Sequence, residues 1–142
     1  MSPRIGLGIS SLLVLGFAVH LVYDYAVNGP RARAALRVLT EQFARLNPPP
    51  QATRQECHES SKPGQALIGC TYKSALSASQ LAEYYDGAFK GIHWAPCDIT
   101  PVLASPSTHF RGYCEGEFRA SLQSGDGGSD WDYGLDLTWH AK

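Results

Sequence analysis

An apolar run near the amino terminus constrains this chain more than any other feature of its sequence. Residues 5–23 (IGLGISSLLVLGFAVHLVY) contain no Asp, Glu, Lys or Arg, and Arg4 precedes them. As a helix rising 1.5 Å per residue, this run would be about 28 Å long, close to the hydrocarbon thickness of a bilayer. A basic residue before an apolar stretch is typical of signal sequences and signal anchors. We expect residues 1–27 to form a transmembrane signal anchor that contacts membrane lipid through residues 5–23.

The same run could instead be removed after export. Gly16 and Ala18 supply small residues at a possible cleavage site, and cleavage there would release a secreted protein. The apolar run continues beyond this site to Tyr23, which a cleaved signal does not need. The sequence therefore favours a retained single-pass anchor, with secretion after signal cleavage as the alternative.

The rest of the chain contains four cysteines, and no two of them lie within three residues of each other. They are Cys57, Cys70, Cys97 and Cys114. A zinc site usually shows a close pair of cysteines in a tight turn, which this sequence lacks. The even number and wide spacing indicate disulfides, which form in an oxidising compartment. We expect an anchor in the bacterial inner membrane and a C-terminal domain in the periplasm.

Arginines near the apolar run indicate the opposite orientation. Arg31, Arg33 and Arg37 follow the run and outnumber Arg4, so positive-inside counting places the domain in the cytoplasm. We give the cysteines more weight, because these arginines fall in a predicted folded helix rather than in a short loop.

The composition and charge distribution argue against one class of partner. Hydrophobic residues make up 44% of the 142 residues and charged residues 18%, which is typical of a globular protein. Residues 48–142 carry seven basic and eleven acidic side chains. An acidic domain repels phosphate backbones, so we expect no nucleic-acid binding.

A second helix is predicted between the apolar run and the domain. Asn28-Gly29-Pro30 should break the first helix, and proline suits the first turn of the next one. Apolar residues recur at helical spacing on one face of residues 30–46; they are Ala32, Leu36, Leu39, Phe43 and Leu46. Prolines 48–50 end this helix as a stiff spacer. Residues 28–50 are therefore predicted to be an amphipathic helix with a Pro-rich linker, and residues 51–142 a disulfide-stapled α+β domain.

Residues 52–61 and 66–76 are predicted to form a β-hairpin. Pairing Lys62 with Gln65 across the turn sets Cys57 directly opposite Cys70. Alternation makes this a non-hydrogen-bonded pair, whose Cα atoms lie about 4.5 Å apart, within reach of a disulfide. We predict a Cys57–Cys70 disulfide and, by elimination, a Cys97–Cys114 disulfide, although four cysteines allow three pairings.

A helix and two further strands should follow the hairpin. Ser77 and Gln80 fit a capping box at the start of the helix, and Gly91 is its predicted C-cap. Residues 110–122 and 131–139 alternate between apolar and polar side chains, as half-buried antiparallel strands do. The predicted fold class is α+β: the transmembrane helix, the amphipathic helix, then a roughly four-stranded antiparallel sheet (ββαββ) with one helix packed on a face.

Opposite charges favour one register for the last two predicted strands. Pairing Arg119 with Asp136 unites opposite charges, whereas a shift of two residues sets two acids against each other. The favoured register also places Trp139 across from Gly116, where an aromatic ring can cover the bare backbone.

The sequence contains no recognisable catalytic or cofactor motif. It has no phosphate-binding loop, dinucleotide fingerprint, nucleophile elbow or zinc-protease helix. His58 beside Glu59, and His109, His140 and Glu115 on the predicted outer sheet face, are candidates for a general base or a metal site. Because they lack ligand spacing, we interpret them as solvated residues and predict no catalytic, cofactor-binding or metal-binding residue.

Two other candidate ligand sites also have simpler interpretations. Residues 125–132 (GDGGSDWD) are similar to an oxygen-rich calcium loop but lack the EF-hand pattern, so we expect a flexible hairpin loop. Five aromatic residues could stack on a ligand, but their periodicity fits the core better; they are Tyr84, Tyr85, Trp94, Trp131 and Trp139.

Two parts of the sequence resemble bacterial envelope proteins. The run Leu81–Trp94 (LAEYYDGAFKGIHW), followed by alternating strands, resembles small envelope domains in which a Tyr-bearing helix ends near a Gly and a Trp. A basic leader ending at Gly6, an apolar helix running into an amphipathic one and a disulfide-bearing sheet resemble type IV pilin-like subunits. That resemblance implies cleavage after Gly6 and polymerisation. It departs at the fifth mature residue, which is Ser11 instead of the usual Glu.

These features favour an interaction protein over an enzyme. We expect a non-catalytic, membrane-anchored accessory subunit of a cell-envelope complex, which presents a small extracytoplasmic domain to a protein partner. The alternatives are a type IV pilin-like (minor pseudopilin) subunit and a small ligand-binding or enzymatic envelope domain that uses His58, His109 or His140.

Overall fold

The computed structural model describes residues 4–99, 109–125 and 131–142, with side chains from Val14 onward. The elements are α1 (Arg4–Tyr23), a π-helical segment (Asp24–Asn28), α2 (Gly29–Arg45), β1 (Thr53–Lys62), β2 (Gln65–Lys73), α3 (Ala78–Gly91), β3 (Ala95–Pro96), β4 (His109–Glu115), β5 (Phe118–Ser124) and β6 (Tyr133–His140). The strands form one antiparallel sheet in the order β1-β2-β6-β5-β4-β3. The α+β class is confirmed, with six strands in place of about four.

The helices at the amino terminus form one continuous run, so the predicted break at Asn28–Pro30 is wrong. The Gly29 N–H donates to the Asp24 carbonyl, a bond between residues i and i−5 that belongs to the π-helical segment. This wider turn accommodates Pro30, whose ring and missing N–H are incompatible with a regular bond to residue i−4.

The predicted transmembrane segment coincides with α1, which is 20 residues long. Among the residues that the structure describes, no helix was found to combine the length and apolarity needed to cross a membrane. The membrane anchor and the domain boundaries at residues 27 and 50 therefore stay predictions.

Both α2 and α3 cover the same face of the sheet. The Arg31 guanidinium of α2 lies over the Trp139 ring, and Tyr85 of α3 packs against Tyr133 on the same face of β6. The predicted apolar stripe of α2 is buried, since Leu39 and Phe43 are at most 6% exposed. The sequence predicted one helix on the sheet, but six strands present an apolar face wide enough to need both helices.

The predicted hairpin and both disulfides are confirmed. Lys62 pairs with Gln65 and Cys57 with Cys70, and that disulfide joins Cα atoms 4.1 Å apart. The second disulfide joins Cys97 to Cys114. The two disulfides lie on opposite faces of the sheet, because Cys70 pairs with core residue Leu135 whereas Cys114 pairs with Arg119.

Residues 110–122, predicted as a single strand, form the hairpin β4–β5. Gly116 has a φ of 56° and makes a two-residue turn with Glu117, since Glu115 pairs with Phe118. A glycine with positive φ at the first central position is typical of a type II′ turn. The turn changes which alternate residues face the core, so Cys114 faces away from the helices while Phe118 faces toward them.

The predicted register of the last strand is also wrong. Arg119 pairs with Thr138, Asp136 pairs with Ser121, and Trp139 pairs with Phe118. An exposed opposite-charge pair contributes only about 0.2–1 kcal/mol, whereas burying a large apolar side chain contributes about 1.5–3 kcal/mol. The observed register packs the partly buried Phe118 beside Trp139, and the turn removes Gly116 from the strand.

Helix α3 begins as predicted but ends differently. The capping box is confirmed, but Gly91 is the last helical residue rather than the C-cap. The Trp94 N–H donates to the Phe89 carbonyl at 2.9 Å, and the His93 N–H donates to the Lys90 carbonyl at 3.1 Å. These bonds form a Schellman motif with His93 in the left-handed region at a φ of 68°. With the chain turned in this way, the Trp94 ring packs against the Phe89 ring, and their centroids lie 5.5 Å apart.

Candidate functional site

The structure does not gather the predicted histidine candidates into one site. His109 begins β4 and Glu115 ends it, which places them about 20 Å apart along the strand. His140 pairs with Gln65 at the far end of β6, on the face away from the helices. The expected approach of His109, His140 and Glu115 is therefore wrong. Within residues 4–99, 109–125 and 131–142, no group of three or more His, Cys, Asp or Glu side chains could hold a metal ion.

Asp136 is the carboxylate that lies beside a candidate histidine. His58 Nε2 is 3.5 Å from Asp136 Oδ1, on the sheet face opposite the helices. His58 belongs to β1 and Asp136 to β6, and Gly69 of β2 pairs with both of them. A Cβ atom at Gly69 would overlap the Asp136 carboxylate, coming within 2.9 Å of its Cγ. The missing side chain at Gly69 therefore makes room for this contact.

Burial gives Asp136 an unusual protonation behaviour. Burial raises the pKa of its carboxyl, and the nearby His58 imidazole partly opposes that rise. Its side chain is 25% exposed, so the group still exchanges protons with solvent. A histidine and one carboxylate do not make a metal site or a complete catalytic set. We interpret the pair as a contact that links the edge strand β1 to the central strand β6.

Sequence reasoning missed Asp136 because it used the wrong register. Asp136 was correctly expected on the outward face of β6, but opposite Arg119. Only the order of the strands shows that β2 separates Asp136 from His58 and that Gly69 lies between them. Without the strand order, the sequence does not indicate that Gly69 pairs with Asp136.

A second charged cluster fixes the position of α3 on the sheet. The Arg111 guanidinium donates to both Asp86 carboxylate oxygens, at 3.0 and 2.7 Å. The Tyr113 hydroxyl donates to the same carboxylate at 2.9 Å. The hydrogen bond to Asp86 raises the pKa of Arg111, and burial raises the pKa of Tyr113. These contacts attach the middle of α3 to β4.

A cleft of about 430 Å³ lies between the first turn of α3 and the neighbouring ends of β4 and β5. Its polar side chains come from three elements: Ser77 and Ser79 at the start of α3, His109 and Arg111 of β4, and Ser124 of β5. The capping box and His109 are recognisable separately in the sequence. The sequence did not predict that the capping box and His109 line the same cleft, because this depends on the β4–β5 turn, where a continuous strand was expected.

The remaining ligand candidates have mixed outcomes. Tyr85, Trp94 and Trp139 are at most 3% exposed, which confirms them as core residues. The Tyr85 hydroxyl lies 3.2 Å from the Tyr133 hydroxyl, and burial raises the pKa of Tyr133 to about 12. Tyr84 and Trp131 are half-buried. Residues 126–130 of the calcium-like loop lie outside the described residues.

Comparison with known proteins gives no relative from which to transfer a function. No protein-family model matches the sequence, and no curated protein or solved structure matches it at a significant level. The function must be argued from the residues of this chain.

Proposed function

We propose that this protein is a non-catalytic, membrane-anchored accessory subunit of a cell-envelope complex. In this proposal α1 inserts into lipid, and the α+β domain lies in the periplasm and binds a protein partner. The two disulfides support this location, because they form and persist in an oxidising compartment.

The observation that carries the proposal is the exposed apolar surface of α1. Val14, Phe17 and Val22 are each at least 65% exposed, although they are large apolar side chains. A continuous apolar surface of this kind marks a site of contact with a membrane or another protein. In contrast, the apolar stripe of α2 is buried against the sheet. The helix therefore changes from an uncovered to a covered apolar surface at the π-helical segment.

Membrane fractionation of the full-length chain tests the anchor. We expect the wild-type protein to stay in bacterial membranes after an alkaline carbonate wash. The double substitution Val14→Arg/Phe17→Arg should shift it to the soluble fraction, because each arginine costs about 2.5–3.5 kcal/mol in a membrane helix. Val38→Arg is the matched control, since Val38 is exposed on α2, outside the apolar run.

Two results would contradict the proposal. One is a wild-type protein that washes off membranes, and the other is a double variant that stays bound as firmly as the Val38→Arg control. The orientation is tested by intact mass spectrometry after thiol alkylation in whole cells. Four alkylated cysteines would place the domain on the reducing side of the membrane, as the arginine count predicts.

A type IV pilin-like subunit is the second candidate, and the continuous helix specifically favours it. The helical run extends from Arg4 to Arg45 through the π-helical segment, and its amphipathic half packs on an antiparallel sheet. Ser11 occupies the fifth mature position in place of the usual Glu, which argues against assembly into a pilin-type filament. The mass of the mature protein separates the candidates, since pilin-type processing would leave Leu7 as its first residue.

A further inference from the structure

We propose that strand β1 binds an extended segment of the protein partner, which pairs with its open edge as an added strand and places one apolar side chain beside α2. This inference rests on the proposed function, in which the domain binds a protein partner, and it names the surface and the kind of segment. Two features of the same edge carry it: a row of backbone groups that face outward, and an apolar pocket beside them.

The two edges of the sheet differ in how they are protected. Strand β3 at one edge has only two residues, and one of them is Pro96. The Cys97 carbonyl and the Ile99 side chain also lie over Gly112 of β4. Short edge strands and prolines are common ways of blocking further pairing. Strand β1 at the other edge has ten residues, nine of them exposed, and no strand within the described part of the chain pairs with its outer side.

The pairing of β1 with β2 shows which backbone groups face outward. Cys57 lies opposite Cys70 with Cα atoms 4.1 Å apart, close to the spacing of a non-hydrogen-bonded pair. In such a pair the N–H and C=O groups point away from the neighbouring strand, and the pattern repeats at every second residue. Cys57, Glu59 and Ser61 therefore direct their N–H and C=O groups toward the open edge. An extended chain carries donors and acceptors at the same repeat, which is the basis of recognition by strand addition.

An apolar pocket of about 230 Å³ lies beside this edge, between β1 and α2. Phe43 of α2 and Ile68 of β2 line it, together with the Cys57–Cys70 disulfide. The pocket is smaller than the about 300–1,000 Å³ that is typical of small-molecule sites, so it suits a single apolar side chain. Directly opposed residues of antiparallel strands share a face of the sheet. The partner residue opposite Cys57 would therefore direct its side chain to this pocket.

Charged side chains at both ends of the pocket define the partner segment further. Arg54 and Glu59 line it on either side of Cys57, and a bulge between Arg54 and Cys57 keeps all three on the face that carries Tyr72 and Ile68. A segment with an acid, an apolar residue and a base at alternate positions complements this order. A second copy of the chain does not, because the fullest antiparallel self-pairing of the three outward residues sets Glu59 of one copy against Glu59 of the other.

Titration of the full-length protein in detergent micelles with a designed peptide, followed by amide NMR, tests the edge. The probe is the capped peptide TKTFTDT, which in antiparallel pairing sets its lysine opposite Glu59, its phenylalanine opposite Cys57 and its aspartate opposite Arg54. We expect saturable shifts at the β1 amides. A control peptide carries N-methyl groups on the lysine and the phenylalanine, which removes the two N–H groups that face β1 and keeps both side chains. It should bind at least about tenfold more weakly.

A charge reversal on β1 tests the alignment of the added strand. Glu59→Lys should weaken binding of the peptide about fivefold, and a peptide with glutamate in place of its lysine should recover this loss. Glu117→Lys is the matched control, since Glu117 is exposed in the β4–β5 turn, away from β1, and it should leave both affinities unchanged. Both substitutions replace exposed side chains, and thermal melts establish that both variants are folded.

The proposal is overturned if the peptide gives no saturable shifts in β1. It is also overturned if the N-methylated peptide binds equally well, which would indicate contact through side chains alone. Sedimentation that shows a dimer, which the peptide dissociates, would make a second copy the occupant of the edge and would overturn it as well. These results leave the membrane anchor unaffected, because the carbonate wash measures α1 alone, and a failure of the anchor leaves peptide binding in micelles to be measured independently.

Discussion

Replacing Gly69 by alanine should destabilise the domain, because the space beside this residue is already filled. The new Cβ atom would overlap the Asp136 carboxylate and would lie 3.1 Å from the backbone oxygen of Leu135. The carboxylate can rotate away only by leaving His58, and the Leu135 carbonyl can move only with strand β6. Both adjustments cost free energy of folding.

The expected magnitude combines two opposing effects. Alanine in place of a strand glycine gains about 0.5–1 kcal/mol, because the unfolded chain loses freedom. Overpacking a filled site costs about 1–3 kcal/mol. We expect a net loss of about 1–2 kcal/mol in the free energy of unfolding, or a melting temperature lower by roughly 5–10 °C.

Urea denaturation of matched variants measures this effect. Gly134→Ala is the control, since Gly134 also lies in a central strand but its added Cβ would meet only ordinary contacts at 4.0 Å. It should be neutral or slightly stabilising. In the background of Asp136→Ala, Gly69→Ala should become less costly by about 0.5–2 kcal/mol, because the clash with the carboxylate is gone. Equal effects of Gly69→Ala and Gly134→Ala, or strict additivity with Asp136→Ala, would refute the reasoning.

Three further predictions rest on other features of the fold. The raised pKa of Asp136 means that its contribution to stability is present below pH 3.8, its ordinary value, and is lost as the pH rises through the folded value. Urea melts across this range should therefore show Asp136→Asn gaining stability relative to wild type as the pH rises, and a constant difference would contradict the shift. His93→Gly should raise the free energy of unfolding by about 1 kcal/mol in thermal melts, because His93 has a φ of 68°, which glycine adopts without steric cost. An unchanged melting temperature would show that His93 is not strained. Replacing Cys57 and Cys70 together by alanine should cost about 3 kcal/mol in urea melts, given a separation of 13 residues, and a cost below about 1 kcal/mol would show that the staple is dispensable.

Local sequence signals predicted the parts of the fold that depend on near neighbours. The Cys57–Cys70 pairing followed from one turn and the alternation of a hairpin, and the capping box from two residues three apart. The apolar stripe of α2 followed from helical spacing, which burial of a helix face requires. Each of these depends on fewer than about twenty consecutive residues.

The errors arose where one local feature has a non-local consequence. Gly116 looked like a covered position in a strand, but it is a turn residue, and that turn adds a strand and changes the face of Cys114. The displaced pairing of β5 and β6 has a separate cause, because an exposed Arg119–Asp136 charge pair was given more weight than the packing of Phe118 beside Trp139. The contact of His58 with Asp136 was unforeseen because it depends on strand order, which places β2 between β1 and β6. The cleft beside Ser124 was unforeseen because it depends on the β4–β5 turn.

The last strand of the chain completes the centre of the sheet. β6 lies between β2 and β5, although it is made after all the other strands. Each disulfide, in contrast, joins elements that are already neighbours along the chain, with separations of 13 and 17 residues. Both thiol pairs can therefore be oxidised before β6 pairs with its neighbours. Strand β6 is thus the element that joins the β1–β2 hairpin to the β4–β5 hairpin in one sheet.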